Sequence, residues 1–323
     1  MGWEGTDGKK ESEILEYKKD AKKEIKTEPV KKMAKNNPTE GFDAYDNKSQ
    51  DNSNTNDSGY TTELLDHETI LIYGQPKVGK TWAYCSIIED TIKNGGHIFI
   101  INTDNGVKKT LQAYFGKEFQ NTTKHINYYL LLNFEKIFDV IKDIKSKVKQ
   151  KDLIVIDLID DFYEMAQMKF VEQASQGNIV NYIELASRED EKFGLLESSK
   201  WQYIKKLDDI LLRQLVIYPP CNIVAACGAK DVSVESVFIK KQKDAKKKEA
   251  AKYEHEKWKQ VGAKPGGHKS LRHKFNTIVY LGELEHKGRY FKVMGDRGIV
   301  KKDLITFDKN FYDKFKEARN NHS

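Results

Sequence analysis

The chain has 323 residues, 38% of them hydrophobic and 32% charged, with a formal net charge of +6. The charged share is high and the apolar share low for a uniformly folded protein, so either the core is thin throughout or one polar segment dilutes a normal core. No run approaches the ~18 apolar residues that cross a bilayer, no apolar leader opens the chain, and Cys85, Cys221 and Cys227 lack the spacing of a zinc site or a disulfide framework, so a cytoplasmic protein without membrane attachment is expected.

Residues 1–60 account for the dilution. A Lys/Glu mixture with few apolar positions passes into the polar run DNKSQDNSNTNDSG. Such a segment buries too little apolar surface to offset its ordering entropy, and a disordered tail is expected. From residue 61 onwards strand and helix signals alternate. Residues 70–73 (ILIY), 97–102 (HIFIIN), 126–132, 153–156 (LIVI) and 222–227 read as strands. Residues 80–93, 107–115, 133–148, 162–174 and 198–216 read as helices, with Asn133 as a cap and Phe134, Ile137, Phe138, Ile141 and Ile144 at helical spacing. Alternation of this kind implies an α/β fold in three αβα layers, with a mainly parallel sheet covered on both faces. Residues 275–281 and 289–294 then read as a hairpin about a turn at 285–288, and a helix follows residue 306. The expected organisation is a tail over 1–60, one domain over 61–305 and a C-terminal helix over 306–323.

The sharpest motif is Gly74-Gln75-Pro76-Lys77-Val78-Gly79-Lys80-Thr81, which matches GxxxxGK(S/T) between an apolar strand and a helix. Glycine at both ends lets the backbone wrap a phosphate, and loop N–H groups with the helix N-terminus face the anion. Lys80 is expected to reach the β- and γ-phosphates of ATP, and the Thr81 hydroxyl to ligate Mg²⁺. Residues 153–157 (LIVID) supply the companion element, an apolar strand ending in Asp157, the second expected Mg²⁺ group and a catalytic one. Asp160 and Asp161 read as charges at a helix N-terminus.

On these motifs the chain resembles the RecA superfamily. Its nearest resemblance is to the RecA-like nucleotide-binding proteins of phages and archaea, including Sak-type recombination ATPases. Three stretches carry the likeness: Tyr73 to Thr81, Asp157 to Tyr163, and RYFKVMGDR at 289–297. The resemblance implies a RecA-like P-loop core with a C-terminal hairpin. It also implies a carboxylate that activates water where Ile101-Asn102-Thr103-Asp104 stands, with Asp104 one methylene shorter than the family's Glu. It implies a γ-phosphate sensor after the fifth strand, where Lys230 is the candidate in place of glutamine. A cation reaching a neighbouring subunit's site is implied on the hairpin, where Lys292 and Arg297 stand. The planar guanidinium fork favours Arg297. A homo-oligomer, ring or filament, goes with that arrangement.

Residues 240–274 form a basic insertion. Thirteen Lys or Arg face four acids, a net +9 against +6 for the whole chain, so the remainder is slightly acidic. Charge gathered this way suits a nucleic-acid backbone. Lys246, Lys247, Lys248 and Lys252 are the expected phosphate contacts, with Tyr253 and Trp258 as base-stacking platforms. The expected function is a Mg²⁺-dependent ATPase acting on single-stranded DNA in recombination, annealing or repair. The alternatives are a KaiC-like nucleotide-gated switch for a protein partner and, last, a small-molecule P-loop kinase.

Overall fold

The computed structural model describes residues 67–174, 198–232, 244–284, 288–297 and 303–320, all within one compact unit, 57–323. The expected tail at 1–60, the hairpin turn at 285–287 and Lys240, Lys241 and Lys243 of the insertion lie outside the described residues.

Strand β1 (Thr69–Gly74) enters the P-loop and helix α1 (Lys80–Lys93) leaves it. There follow β2 (Ile98–Asn102), α2 (Val107–Phe115), the short α3 (Phe119–Thr123), β3 (Ile126–Leu130), α4 (Lys136–Lys147), β4 (Leu153–Asp157), α5 (Asp161–Ala174) and α6 (Ser198–Leu212). Next come β5 (Asn222–Asp231), α7 (Ala245–Lys259), β6 (Ala263–Pro265), β7 (Thr277–Leu284), β8 (Gly288–Asp296), β9 (Ile305–Thr306) and α8 (Phe311–Asn320). Among the described residues the sheet has the order β3-β2-β4-β5-β1-β7-β8-β9, with β6 paired to β5. It is parallel from β3 to β7 and antiparallel at β8 and β9. The three-layer α/β core with its C-terminal hairpin is therefore present.

The central strands are mostly apolar because helices cover both faces. All five residues of β4 and all six of β1 are buried. Between them lies β5, so the strand feeding the P-loop and the strand ending in Asp157 are next-nearest neighbours. Their carboxyl ends open on one side, where an open parallel sheet places its ligand crevice. Helix α1 buries Ala83, Tyr84, Cys85, Ile87 and Ile88 on the sheet, and α8 packs Phe311 and Phe315 against Phe291 of β8.

Several expected boundaries move, two of them by long-range pairing or helix geometry. The helix read at 198–216 ends at Leu212 and passes into a π-turn, Arg213–Ile217. The fifth strand, read as ending at Cys227, runs on to Asp231, because Ala229, Lys230 and Asp231 pair antiparallel with Pro265, Lys264 and Ala263. That partner is supplied from beyond a thirty-residue excursion, so no local pattern announces it.

Candidate nucleotide site

The P-loop turn is set by glycine. An added Cβ at Gly74 would stand 2.5 Å from the Leu281 carbonyl oxygen of β7 and 2.8 Å from Val78 Cγ1, so β1 and β7 close only over a bare backbone. Gly79 caps α1 in the left-handed region, at φ 98°, which a side chain would strain. The Ala83 N–H donates to the Gly79 carbonyl at 2.9 Å and closes the first helical turn. The N–H groups ahead of it have no partner within the helix and form an anion-binding end.

The Lys80 ammonium donates to the Gly74 and Gln75 carbonyls at 2.9 and 3.1 Å, folded over the mouth of the loop. Burial lowers its pKa, while the carboxylates of Asp157, Asp160 and Asp104 pull the other way. The Thr81 hydroxyl donates to Asp157 Oδ2 at 3.1 Å, and the buried Tyr84 phenol donates to the same oxygen at 2.8 Å. Asp157 is only 3% exposed. Burial pushes its carboxyl up to about 6, against the opposing hydrogen bonds from Tyr84 and Thr81 and the charge of Lys80. A hydroxyl and a carboxylate converging at one edge of a phosphate cradle are hard oxygen donors, and the set fits Mg²⁺.

Asp104 is exposed at the tip of β2, and its carboxylate accepts the Gly106 N–H at 2.8 Å. Its charge is felt at both Asp157 and Lys80. Thr103 beside it joins the two strand ends: its N–H donates to the Asp157 carbonyl at 2.8 Å, and its hydroxyl accepts the Leu158 N–H at 2.9 Å and donates to Asp161. Asp161 stands in the first turn of α5, as expected. Asp160 does not serve as a helix-end charge alone. It accepts the Gly228 N–H at 3.1 Å, and a Cβ on Gly266 would meet its Oδ2 at 2.5 Å. The Gly266 N–H in turn donates to the Gly228 carbonyl at 2.7 Å. The turn after β4 is thereby fastened to the returning end of the basic insertion.

Lys230 is exposed on the extended part of β5. Its neighbour Asp231 accepts a hydrogen bond from Gln75 Nε2 of the P-loop at 3.1 Å. Arg297 is elsewhere. Its N–H donates to the Asn276 carbonyl and its guanidinium to the His273 carbonyl, beside the start of β7. Because β7 runs parallel to β1, that is the sheet end opposite the chain's own P-loop. Lys292 faces Tyr280 midway along the hairpin.

The insertion divides in two. Lys246, Lys248, Lys252 and Tyr253 of α7 are exposed, Tyr253 at 78%; the side chain of Lys247 lies outside the described residues. Trp258 requires a correction. It is 3% exposed, its ring edge-on to Tyr73 at 5.9 Å with Lys257 and Arg272 over it, and so has no free face for a base. Apolar burial won because the last turn of α7 returns to the sheet to pair β6. Arg272 and Lys274 also leave the basic surface, paired with Glu254 and Asp209.

Two contributors were not anticipated from sequence. Tyr84 lies one helical turn beyond Thr81, and the i, i+3 spacing was the available signal. Arg289, second in β8, lies against the P-loop: a Cβ on Gly79 would stand 2.6 Å from its Nε, and its guanidinium lies 5.4 Å over the Trp82 ring. Strand alternation with Phe291, which packs on the α1 side, was its signal.

Residues 66–233, more than half of the chain, match the AAA domain family. The chain belongs to the AAA domain family. With its mainly parallel sheet and Walker-type motifs, this AAA domain protein has the α/β P-loop architecture that the RecA-like resemblance implies. Over 97 residues it is 32% identical to the DNA repair and recombination protein RadB of Methanosphaera stadtmanae, a match covering 29% of this chain and 42% of that relative. The matched stretch thus spans less than half of the relative's length. Among solved structures, the RadB recombinase superposes with a TM-score of 0.40 at 14% identity, covering 73% of this chain and 84% of that one. A second solved structure, an ATPase domain, superposes with a TM-score of 0.37 at 12% identity, covering 76% of this chain and 83% of that one. No helix among the described residues is long and apolar enough to cross a membrane.

Proposed function

We infer that the chain binds and hydrolyses ATP with Mg²⁺ and acts on single-stranded DNA in recombination or repair. The observation that carries the nucleotide half is the 3.1 Å approach of Thr81 to Asp157 at the mouth of a glycine-capped loop. Lys80 would hold the terminal phosphates, Thr81 and Asp157 the metal. When bound, Mg²⁺ would neutralise negative charge on the phosphate oxygens as it develops. Asp104 stands at the adjoining strand end, where a carboxylate would orient the attacking water. Lys230 would sense the γ-phosphate from the strand bonded to Gln75. Arg297, turned to the opposite sheet end, would serve a neighbouring subunit in a ring or filament.

The DNA half rests on the exposed lysines of α7 and on the relative named for DNA repair and recombination. Trp258 sits on Tyr73, the residue before Gly74, so nucleotide loop and insertion share a packed contact. Neutralising Lys246, Lys247 and Lys248 together should weaken single-stranded DNA binding and flatten its salt dependence by about one log unit per lost phosphate contact. An unchanged salt slope, with ATP turnover indifferent to DNA, removes the DNA half. The KaiC-like reading, a nucleotide-gated scaffold for a protein partner, then takes its place. Exposed Tyr128 and Leu130 on edge strand β3, with Leu132 and Met168, favour that second reading.

A further inference from the structure

Arg289 and Lys309 both face the indole of Trp82, at 5.4 and 5.7 Å from the ring centre. No carboxylate among the described residues pairs with either cation, although the same surface is rich in ion pairs such as Glu89 with Lys93 and Asp90 with Lys316. Two cations gathered on one ring repel each other. The ring's quadrupole offsets that only in part, so the arrangement calls for an anion. Trp82 lies in the first turn of α1, two residues beyond Lys80. Arg289 reaches it across the outside of Gly79.

Sheet order decides which part of a bound nucleotide lies there. Asp157, Asp104 and Lys230 come from β4, β2 and β5, all on one side of β1. Metal and terminal phosphates belong on that side. Hairpin β7–β8 is on the other side of β1, and Arg289 comes from it. A phosphate chain running from Lys80 past the N-terminus of α1 therefore leaves its sugar end toward Trp82 and Arg289.

The geometry points to Arg289 as the residue that binds the α-phosphate and nucleoside end of the nucleotide within the same subunit, with Trp82 as the platform that holds its guanidinium plane. The assignment rests on the nucleotide-binding reading above and adds to it the part of the ligand this cation recognises. A planar guanidinium can donate to a phosphate oxygen on its edge and stack a purine on its free face. ADP and ATP present the same α-phosphate and base, so Arg289 should not distinguish them.

The test is titration calorimetry of the full chain with MgADP and MgATP, comparing wild type, Arg289→Gln, Arg289→Ala and Lys80→Ala, with thermal midpoints recorded for each. Both Arg289 variants should lose about tenfold in affinity for ADP and ATP alike, as expected for a lost charge-assisted hydrogen bond. Nucleotide should also change the intrinsic fluorescence of wild type, and the change should shrink in Trp82→Phe. Wild-type ADP affinity in both Arg289 variants overturns the assignment, as does a loss confined to ATP, which would place Arg289 at the γ end. In either case a loss on Lys80→Ala leaves the P-loop reading standing. If wild type itself binds neither nucleotide, both readings fall together.

Discussion

The two ends of the parallel sheet use polar residues in opposite ways. At the carboxyl ends, Lys80, Thr81, Asp157 and Asp104 gather around the P-loop, with Thr103 of a strand end and Tyr84 of α1 as hydrogen-bonding partners, and Lys230 stands exposed on the extended β5. At the amino ends the polar groups satisfy one another. The Thr277 hydroxyl lies 2.7 Å from Glu68 Oε1 and 2.6 Å from Asp296 Oδ2, and Arg319 pairs with both carboxylates. Arg297 stands at this end too, but it is held by the backbone carbonyls of Asn276 and His273 and, among the described residues, by no carboxylate. Residue type alone does not separate a binding cation from a structural one. What separates them is whether the neighbouring charges are already matched, and that follows from which strand end a residue occupies.

The largest expected effect tests the carboxyl end directly. Lys80→Ala should abolish measurable ATP turnover, a drop of at least about a hundredfold for a lost charge-stabilising donor. Asp157→Asn should keep nucleotide binding in calorimetry while turnover falls by a similar factor. Retained turnover in either variant would dismantle the contrast between the two ends.

A large effect on stability is expected where insertion meets sheet. Trp258→Ala should cost about 3 kcal/mol in denaturant unfolding, because a buried indole leaves a cavity against Tyr73. Tyr253→Ala, at an exposed position of the same helix, should leave stability unchanged and weaken DNA binding. Equal stabilities would mean that Trp258 is not packed on the sheet.

Arg297→Ala sharpens the comparison further. Nucleotide affinity at concentrations where the chain is monomeric should equal wild type, since the residue is remote from its own P-loop. Turnover should fall only where subunits assemble. A loss of affinity in the monomer would put Arg297 at the carboxyl end after all.

The smallest effect concerns Asp208 of α6, which is 3% exposed with Oδ2 unpaired among the described residues. Burial pushes its carboxyl up to about 7, Asp209 adds to the rise and Lys274 opposes it. The folded chain holds this proton at pH values where the unfolded chain has released it. Its contribution is therefore intact below about pH 4 and is lost as pH rises through about 7. Asp208→Asn should raise the thermal midpoint at pH 8, by the equivalent of about 1–3 kcal/mol, and leave it unchanged at pH 4.

Much of this was legible in the residues alone. The apolar runs ILIY, IFIIN and LIVID declared strands buried on both faces, and GQPKVGKT between strand and helix declared its turn through two glycines that a side chain could not replace. Asp157 could be placed because a carboxylate ending an apolar strand has few positions open to it. These are local properties: periodicity, backbone freedom and one charge at a strand end. What only the tertiary structure decided depends on residues distant in sequence. The extension of β5 needs β6 across the insertion, the burial of Trp258 needs Tyr73 from 185 positions earlier, and the choice between Arg289 and Arg297 needs the hairpin's register against β1. A hairpin strand of nine residues spans the sheet from one end to the other, so two arginines of one short motif serve opposite ends, and only the packed neighbours of each show which one faces the phosphate loop.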